Sequence, residues 1–170
     1  MAIDKGIVFS YSPKENGVVE LTSLQFDKRA QWHISSIPDK KQNDWADYLR
    51  GITIILGDKY KLKYGICGVF EGQFAIGGLS SSAAFSISFL KALCDVNNIK
   101  LTNEELINIA KESENNYVGV SCGKLDQSCI TLCEKDKLLF LDTKDGSYKN
   151  IHAPSNMKPY AIGIFFHNIR

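Results

Sequence analysis

Apolar positions in the first part of the chain mark three short strand-like segments. Residues 5–11 and 18–26 are rich in apolar and β-branched side chains, and the segment 13–17 between them carries Pro, Asn and Gly. Such a turn signal between two strand-like runs predicts a β-hairpin. A third apolar run, at residues 64–70, predicts another strand.

Helical periodicity replaces this pattern at two places. In residues 45–56 the apolar side chains recur every three or four positions, which predicts a helix. Asp44 stands where an N-terminal cap belongs, and Gly57 stands where such a helix would end. The run of residues 83–94 is clearly apolar and predicts a second helix that begins within the preceding serine tract.

The second half of the chain continues with helices and then strands. A Thr followed three positions later by Glu105 has the spacing of a capping box, which predicts a helix over 102–117. Residues 125–133 predict a short helix, and residues 138–142 and 160–166 predict strands. Because strands precede and follow the helices without strict alternation, the pattern favours an α+β fold over a doubly wound sheet.

Composition narrows the class of protein. The 170 residues have a formal net charge of +1, which predicts neither a nucleic-acid partner nor a membrane partner. Five cysteines without repeated spacing argue against a disulfide framework, and Cys129 and Cys133 are interpreted as buried thiols. With no signal-like segment and no apolar run long enough to span a bilayer, we expect a cytoplasmic protein.

A glycine- and serine-rich segment at residues 77–84 carries the clearest chemical signal. Gly77 and Gly78 allow the backbone to approach a ligand closely, and Ser80 or Ser81 is the candidate N-cap for the second helix. A helix N-terminus presents unpaired N–H groups that bind phosphate, and serine hydroxyls add donors and a Mg²⁺ ligand. The alternative interpretation is a helix end with redundant capping residues.

The run Gly-Leu-Ser-Ser-Ser-Ala at residues 78–83 resembles the second sequence motif of the GHMP kinases. In that family the loop surrounds the triphosphate of ATP. The resemblance therefore implies ATP binding by Gly77, Gly78, Leu79, Ser80, Ser81, Ser82 and Ala83. It also implies that Ser82 is a ligand of Mg²⁺.

Two carboxylates and a glycine form the second candidate set. Judged from the residues alone, Asp126 is as plausible a helix cap as a functional group, and Glu114 is more often a surface residue. The sequence Cys-Gly-Lys-Leu-Asp-Gln at 122–127 resembles the galactokinase branch of the family. That resemblance implies that Asp126 is the catalytic base and a sugar ligand, that Gly123 contacts the sugar, and that Glu114 completes the Mg²⁺ site with Ser82.

Two further positions keep two interpretations each. Trp45 lies in a segment similar to one that is near the adenine in galactokinases, so it is a candidate ATP contact, but it equally fits an aromatic residue packed on the core. The opening strands also resemble plant-type galacturonokinases. Lys124 is then a candidate partner for a sugar carboxylate, although surface exposure explains it as well.

The resemblance covers residues 1–170 as one GHMP N-terminal domain, truncated at both ends and lacking the C-terminal domain. It implies the α+β fold of that domain, which is like the second domain of ribosomal protein S5. It further implies an ATP- and Mg²⁺-dependent kinase acting on the anomeric hydroxyl of galactose or a close relative. Alternatives are a galacturonokinase, a non-catalytic regulator that binds sugar and ATP, a fragment without ligands, and a mevalonate or homoserine kinase. We expect this polypeptide alone to be inactive, and its oligomeric state stays open.

Overall fold

The α+β prediction is confirmed by a computed structural model that describes residues 2–3, 5–72, 79–156, 158 and 163. The strands are β1 (Ile7–Lys14), β2 (Val18–Ser23), β3 (Lys28–His33), β4 (Gly65–Gly72), β5 (Lys137–Leu141) and β6 (Tyr148–His152). The helices are α1 (Asp47–Lys59), α2 (Ser81–Val96), α3 (Asn103–Glu112), a π-helix (Ser113–Val118) that directly continues α3, and α4 (Leu125–Leu132).

The predicted hairpin between the first two strands is wrong. Within the main sheet the order is β1-β4-β2-β3, so β4 lies between β1 and β2. The turn itself forms, since Gly17 has φ +70° and its N–H donates to the carbonyl of Lys14. A Cβ atom on Gly65 would lie only 2.1 Å from the carbonyl oxygen of Val18, so the missing side chain is what allows β4 to enter between the two strands.

The sequence pattern did not predict β3 or β6. β3 pairs antiparallel with β2 at the edge of the main sheet, and only Ala30 and Trp32 of its six residues are buried. β6 pairs with β5 in a separate two-stranded sheet. The predicted strand at 160–166 lies outside the described residues.

The four predicted helices are confirmed, but the ends of α1 differ from the prediction. This helix passes through Gly57 and ends at Lys59, and the residue at its N-cap position is Ala46. Asp44 instead accepts hydrogen bonds from the Ala46 N–H and from Arg50, which fastens the segment that enters the helix. The capping box of α3 forms as its sequence spacing predicts.

The core lies between the main sheet and the three longer helices. Side chains of β2, α1, α2 and α3 meet there, and Leu21, Leu49, Ile52, Leu90 and Ile109 are at most 1% exposed. Burial of each such side chain contributes about 1.5–3 kcal/mol relative to exposure. No helix among the described residues is long and apolar enough to cross a bilayer.

Candidate active site

A cavity of about 440 Å³ opens where the N-terminal ends of α1, α2 and α4 approach the ends of the main-sheet strands. Its volume falls in the range typical of small-ligand sites. The described residues that line it are Ile7, Ser23, Gln25, Phe26, Trp45, Tyr48, Phe70, Gly72, Ser80, Ser81, Ser82, Phe85 and Asp126.

The serine segment forms one wall of this cavity. Ser80 occupies the N-cap position of α2 as predicted, but its hydroxyl makes no capping hydrogen bond and its φ is +55°. A left-handed conformation is uncommon for a residue other than glycine, and such strain is concentrated at functional sites. The first backbone N–H groups of α2 have no acceptor within the helix and carry the positive end of its dipole, so this wall suits an anion.

Glu114 lies directly behind the serine wall. Its side chain is buried, with 8% exposed, and one carboxylate oxygen, Oε1, lies 3.5 Å from the hydroxyl of Ser82. The other oxygen, Oε2, accepts a hydrogen bond of 2.9 Å from the amide of Gln127. Glu114 itself does not line the cavity, so it reaches the cavity only past Ser82.

The π-helix fixes the position of Glu114. The backbone N–H groups of Gly119 and Val120 both donate to the carbonyl of Glu114, which closes the wider turn. On the other side, α1 approaches this segment closely: a Cβ atom at Gly51 would lie 2.3 Å from the hydroxyl of Ser113. That hydroxyl donates to the carbonyl of Tyr48 at 2.6 Å, so α1 and the π-helix are held together beside the site.

Ser82 Oγ and Glu114 Oε1 lie 3.5 Å apart. Adjacent oxygens around an octahedral Mg²⁺ at about 2.0–2.1 Å are about 2.9 Å apart, so a side-chain shift of about 0.6 Å would bring both oxygens within reach of one ion. Among the described residues no group of three or more His, Cys, Asp or Glu side chains is placed to hold a metal. One carboxylate and one hydroxyl is a sufficient protein contribution for Mg²⁺, because this ion usually completes its shell with phosphate oxygens and water.

Asp126 stands on the wall formed by α4. It occupies the first turn of that helix, is exposed, and lines the cavity together with the three serines. The N-cap position belongs to Lys124, so the alternative of Asp126 as a helix cap does not hold. Gly123 is exposed and does not line the cavity, and a Cβ atom added to it would meet no atom within 4 Å.

Trp45 packs on the core and also lines the cavity, so its contact with ATP stays a prediction. Its ring lies 5.6 Å from that of Phe85 and 6.4 Å from that of Phe26, centroid to centroid. The adjacent Asp44 is held by Arg50; burial acts to raise the pKa of Asp44, but the hydrogen bonds from Arg50 and the Ala46 backbone hold it below its usual value.

Glu114 also influences the ionisation of its neighbours. Burial raises the pKa of Tyr48, and the negative charge of Glu114 raises it further. The pKa of Cys122 is raised in the same way, by burial first and by Glu114 second. Both side chains therefore stay neutral near neutral pH.

The remaining predicted positions differ in their placement. Leu79 and Ala83 do not line the cavity, and Ala83 is 1% exposed with its side chain in the interior. Gly77 and Gly78 lie outside the described residues. The ammonium of Lys124 lies 2.9 Å from the position that a Cβ of Gly146 would take, beside the β5–β6 connection and away from the cavity, so the structure does not support its pairing with a sugar carboxylate.

Several cavity residues were not found from the sequence. The only one with a usable signal was Tyr48, which follows Trp45 by almost one helical turn and therefore faces the same side. No motif marks the others, which come from strand ends, from the β2–β3 turn and from α2: Ile7, Ser23, Gln25, Phe26, Phe70, Gly72 and Phe85.

Comparison with known proteins gives one family match and several close relatives. The family model described as "GHMP kinases N terminal domain" matches residues 49–134. The galactokinase of Thermococcus kodakarensis is 35% identical, over 93% of this chain and 44% of that protein. The galacturonokinase of Arabidopsis thaliana is 32% identical, over 100% of this chain and 45% of that protein.

A solved structure agrees with these relatives. The galactokinase of Lactococcus lactis, crystallised in complex with galactose, superposes with a TM-score of 0.84 at 26% identity. The match covers 94% of this chain and 45% of that one. The chain thus spans less than half the length of the curated relatives it matches.

Proposed function

Because this chain belongs to the GHMP kinase family, we propose that it is the ATP-binding part of a sugar kinase. The acceptor is the anomeric hydroxyl of galactose or a close relative, and the donor is ATP with Mg²⁺. The observation that carries the proposal is that Ser82 and Asp126 line one cavity from two different helices, with the buried carboxylate of Glu114 3.5 Å from the Ser82 hydroxyl.

Each side chain has a separate task in this proposal. The N-terminus of α2, with Ser80 and Ser81, binds the phosphates of ATP. Ser82 and Glu114 hold Mg²⁺, which when bound neutralises charge on the transferring phosphoryl group. Asp126 faces the sugar hydroxyl across the cavity and accepts its proton or orients it for attack. Trp45 contributes an apolar face for the adenine.

The choice of sugar rests on the relatives. Galactokinases and a galacturonokinase both appear among them at similar identity. Since the ammonium of Lys124 lies beside Gly146, the described residues offer no specific support for a sugar carboxylate at that position, and we favour a neutral galactose-like sugar. The non-catalytic regulator is the second candidate; the three serines and Asp126, all at the cavity, favour an enzyme.

We expect this chain to bind Mg·ATP but not to turn over by itself. It spans less than half the length of its relatives. One face of the β5–β6 sheet also carries exposed apolar side chains, namely Leu138 (44% exposed), Phe140 (58%) and Ile151 (42%). Such a cluster is typical of a surface that another domain covers. Incubation with ATP, Mg²⁺ and galactose, followed by ³¹P NMR, should give no sugar phosphate; sustained turnover would contradict this expectation.

The nucleotide site is tested by Glu114→Gln. This variant keeps the size of the side chain but removes its charge. The affinity for Mg·ATP, measured by calorimetry, should fall at least about tenfold, because even the loss of a residue that only hydrogen-bonds to a metal ligand lowers metal affinity by about that factor. Without Mg²⁺ the order should reverse, because the Glu114 carboxylate repels the phosphates and the amide does not. The variant should therefore bind metal-free ATP at least as tightly as the parent chain.

The matched control is Glu112→Gln, two residues earlier. Its carboxylate is 45% exposed and lies 4.0 Å from Lys59, so its replacement should change neither affinity. The proposal fails if the parent chain binds no Mg·ATP, or if Glu114→Gln weakens Mg·ATP and metal-free ATP equally.

A further inference from the structure

Gln127 is a buried amide that the proposed kinase chemistry does not account for. Its side chain is 1% exposed, although an amide is costly to bury without partners. Its nitrogen Nε2 donates to Glu114 Oε2 at 2.9 Å. Its oxygen Oε1 is buried and has no hydrogen-bond partner in the part of the chain that the structure describes. A core position chosen for stability alone would favour an apolar side chain.

The hydrogen bond from Gln127 decides which oxygen of Glu114 is available to a cation. With Oε2 held by the amide, the carboxylate cannot rotate freely, and Oε1 stays directed at the hydroxyl of Ser82, 3.5 Å away. The donor is a neutral amide, so it orients the carboxylate and leaves the negative charge in place. A lysine at that position would neutralise this charge.

The amide of Gln127 also contacts the loop before α4. Nε2 lies 3.9 Å from the sulfur of Cys122. Cys122 is held by the side chain of Asn115, which accepts from its N–H at 3.0 Å and donates to its carbonyl at 3.4 Å. This network therefore connects the π-helix, which holds Glu114 and Asn115, with α4 and the segment that leads into it.

Helix α4 also links the two carboxylates of the site. Asp126 and Gln127 are consecutive residues in its first turn; Asp126 is exposed and lines the cavity, while Gln127 points inward to Glu114. A shift of this turn would move the proton acceptor and the orientation of the metal carboxylate together.

We propose that Gln127 is a positioning residue that holds Glu114 so that its Oε1 binds the divalent cation beside Ser82. This inference rests on the proposed function, since it assumes that the cation accompanies ATP at this site. Gln127 acts through Glu114 and touches neither the nucleotide nor the sugar. Outer-shell groups of this kind typically contribute 10–100-fold to metal affinity.

The test is Gln127→Met, which keeps the length of the side chain and removes the donor. Mn²⁺ replaces Mg²⁺, and electron paramagnetic resonance of free Mn²⁺ measures its binding to the 170-residue chain with and without ATP. We expect the affinity for Mn²⁺ in the presence of ATP to fall about tenfold or more. The affinity for metal-free ATP, measured by calorimetry, should stay within about twofold of the parent value because Gln127 acts only through the metal carboxylate.

Two further variants separate positioning from packing. Thr131 lies one helical turn further along α4, and its buried hydroxyl, like the Gln127 oxygen, has no hydrogen-bond partner among the described residues. Thr131→Val removes this hydroxyl and should leave Mn²⁺ binding unchanged. Gln127→Asn retains an amide on a side chain that is one carbon too short to reach Glu114, so it should lower the affinity for Mn²⁺ as Gln127→Met does. This variant replaces Gln127→Met in the test if circular dichroism shows that the methionine variant does not fold.

The outcomes distinguish this inference from the function on which it rests. If the parent chain binds no Mn²⁺ with ATP, the proposed function itself fails. If the parent binds and both Gln127 variants bind Mn²⁺ equally well, the positioning role is overturned. An equal loss of Mn²⁺ and of metal-free ATP would also overturn it, since that result indicates a structural role alone.

Discussion

Replacement of Asp126 by asparagine should lower kcat for sugar phosphorylation by about 10²–10⁴-fold, the contribution typical of a positioned proton acceptor. Asn keeps the size of the side chain but accepts no proton at neutral pH. Because Asp126 is exposed at the cavity and makes no cap for α4, the change should not affect folding. The affinity for Mg·ATP should also be preserved, since Ser82 and Glu114 are unchanged.

This measurement requires a polypeptide that turns over. The chain can be joined to the parts of the Thermococcus kodakarensis galactokinase that lie before and after the matched region, and kcat and Mg·ATP affinity are then compared with and without the substitution. Asp58→Asn, an exposed aspartate of α1, is the control and should leave kcat unchanged. A kcat within about threefold of the parent for Asp126→Asn would remove Asp126 from the chemistry.

Gly65→Ala should destabilise the fold strongly, because its added Cβ would meet backbone and not side-chain atoms. That Cβ would lie 2.1 Å from the oxygen and 2.4 Å from the carbon of the Val18 carbonyl, and backbone atoms of the sheet cannot move aside as a side chain can. We expect a loss of about 3 kcal/mol in the free energy of unfolding, at the upper end of overpacking costs. For a domain of this size the unfolding midpoint falls by about 6–12 °C.

Gly57→Ala is the same chemical change, but we expect it to raise the free energy of unfolding instead of lowering it. Gly57 lies within α1, and the nearest atom to an added Cβ is Leu62 Cδ1 at 3.9 Å, an ordinary contact. Relief of the glycine entropy cost should stabilise the fold by about 0.5–1 kcal/mol. Urea unfolding of both variants measures the difference, and a Gly65→Ala chain as stable as its parent would contradict the strand order β1-β4-β2.

Local signals in the sequence were sufficient for the helices but not for the sheet. The capping box at Thr102 and the apolar periodicity of α1 depend on neighbours within a few residues, and both were predicted. The order of strands depends on how β4 packs against Val18, far earlier in the chain, through an absent side chain at Gly65. Hydrophobic periodicity does not report a contact between residues so far apart in the chain. The local turn at Gly17 therefore led to the wrong prediction that β1 pairs with β2.

For the candidate site, too, local sequence predicted some residues, while others depend on contacts between distant parts of the chain. The spacing of Ser82, Glu114 and Asp126 matched a known motif pattern; in the structure Ser82 and Asp126 line one cavity, and Glu114 lies 3.5 Å from the Ser82 hydroxyl. The aromatic wall was not predicted, because Phe26 and Phe85 have no local feature that separates a cavity wall from a core. Gln127 was visible only as part of a motif, and its contact with Glu114 becomes evident only when α4 and the π-helix are placed side by side.

A crystal structure of this chain with Mg²⁺ and a non-hydrolysable ATP analogue tests the proposed nucleotide site most directly. We expect the metal within about 2.0–2.2 Å of both Ser82 Oγ and Glu114 Oε1, with the phosphates over the N-terminus of α2. Asp126 should face the terminal phosphate across the cavity. A nucleotide bound elsewhere, or a metal that touches neither Ser82 nor Glu114, would contradict the proposed nucleotide site.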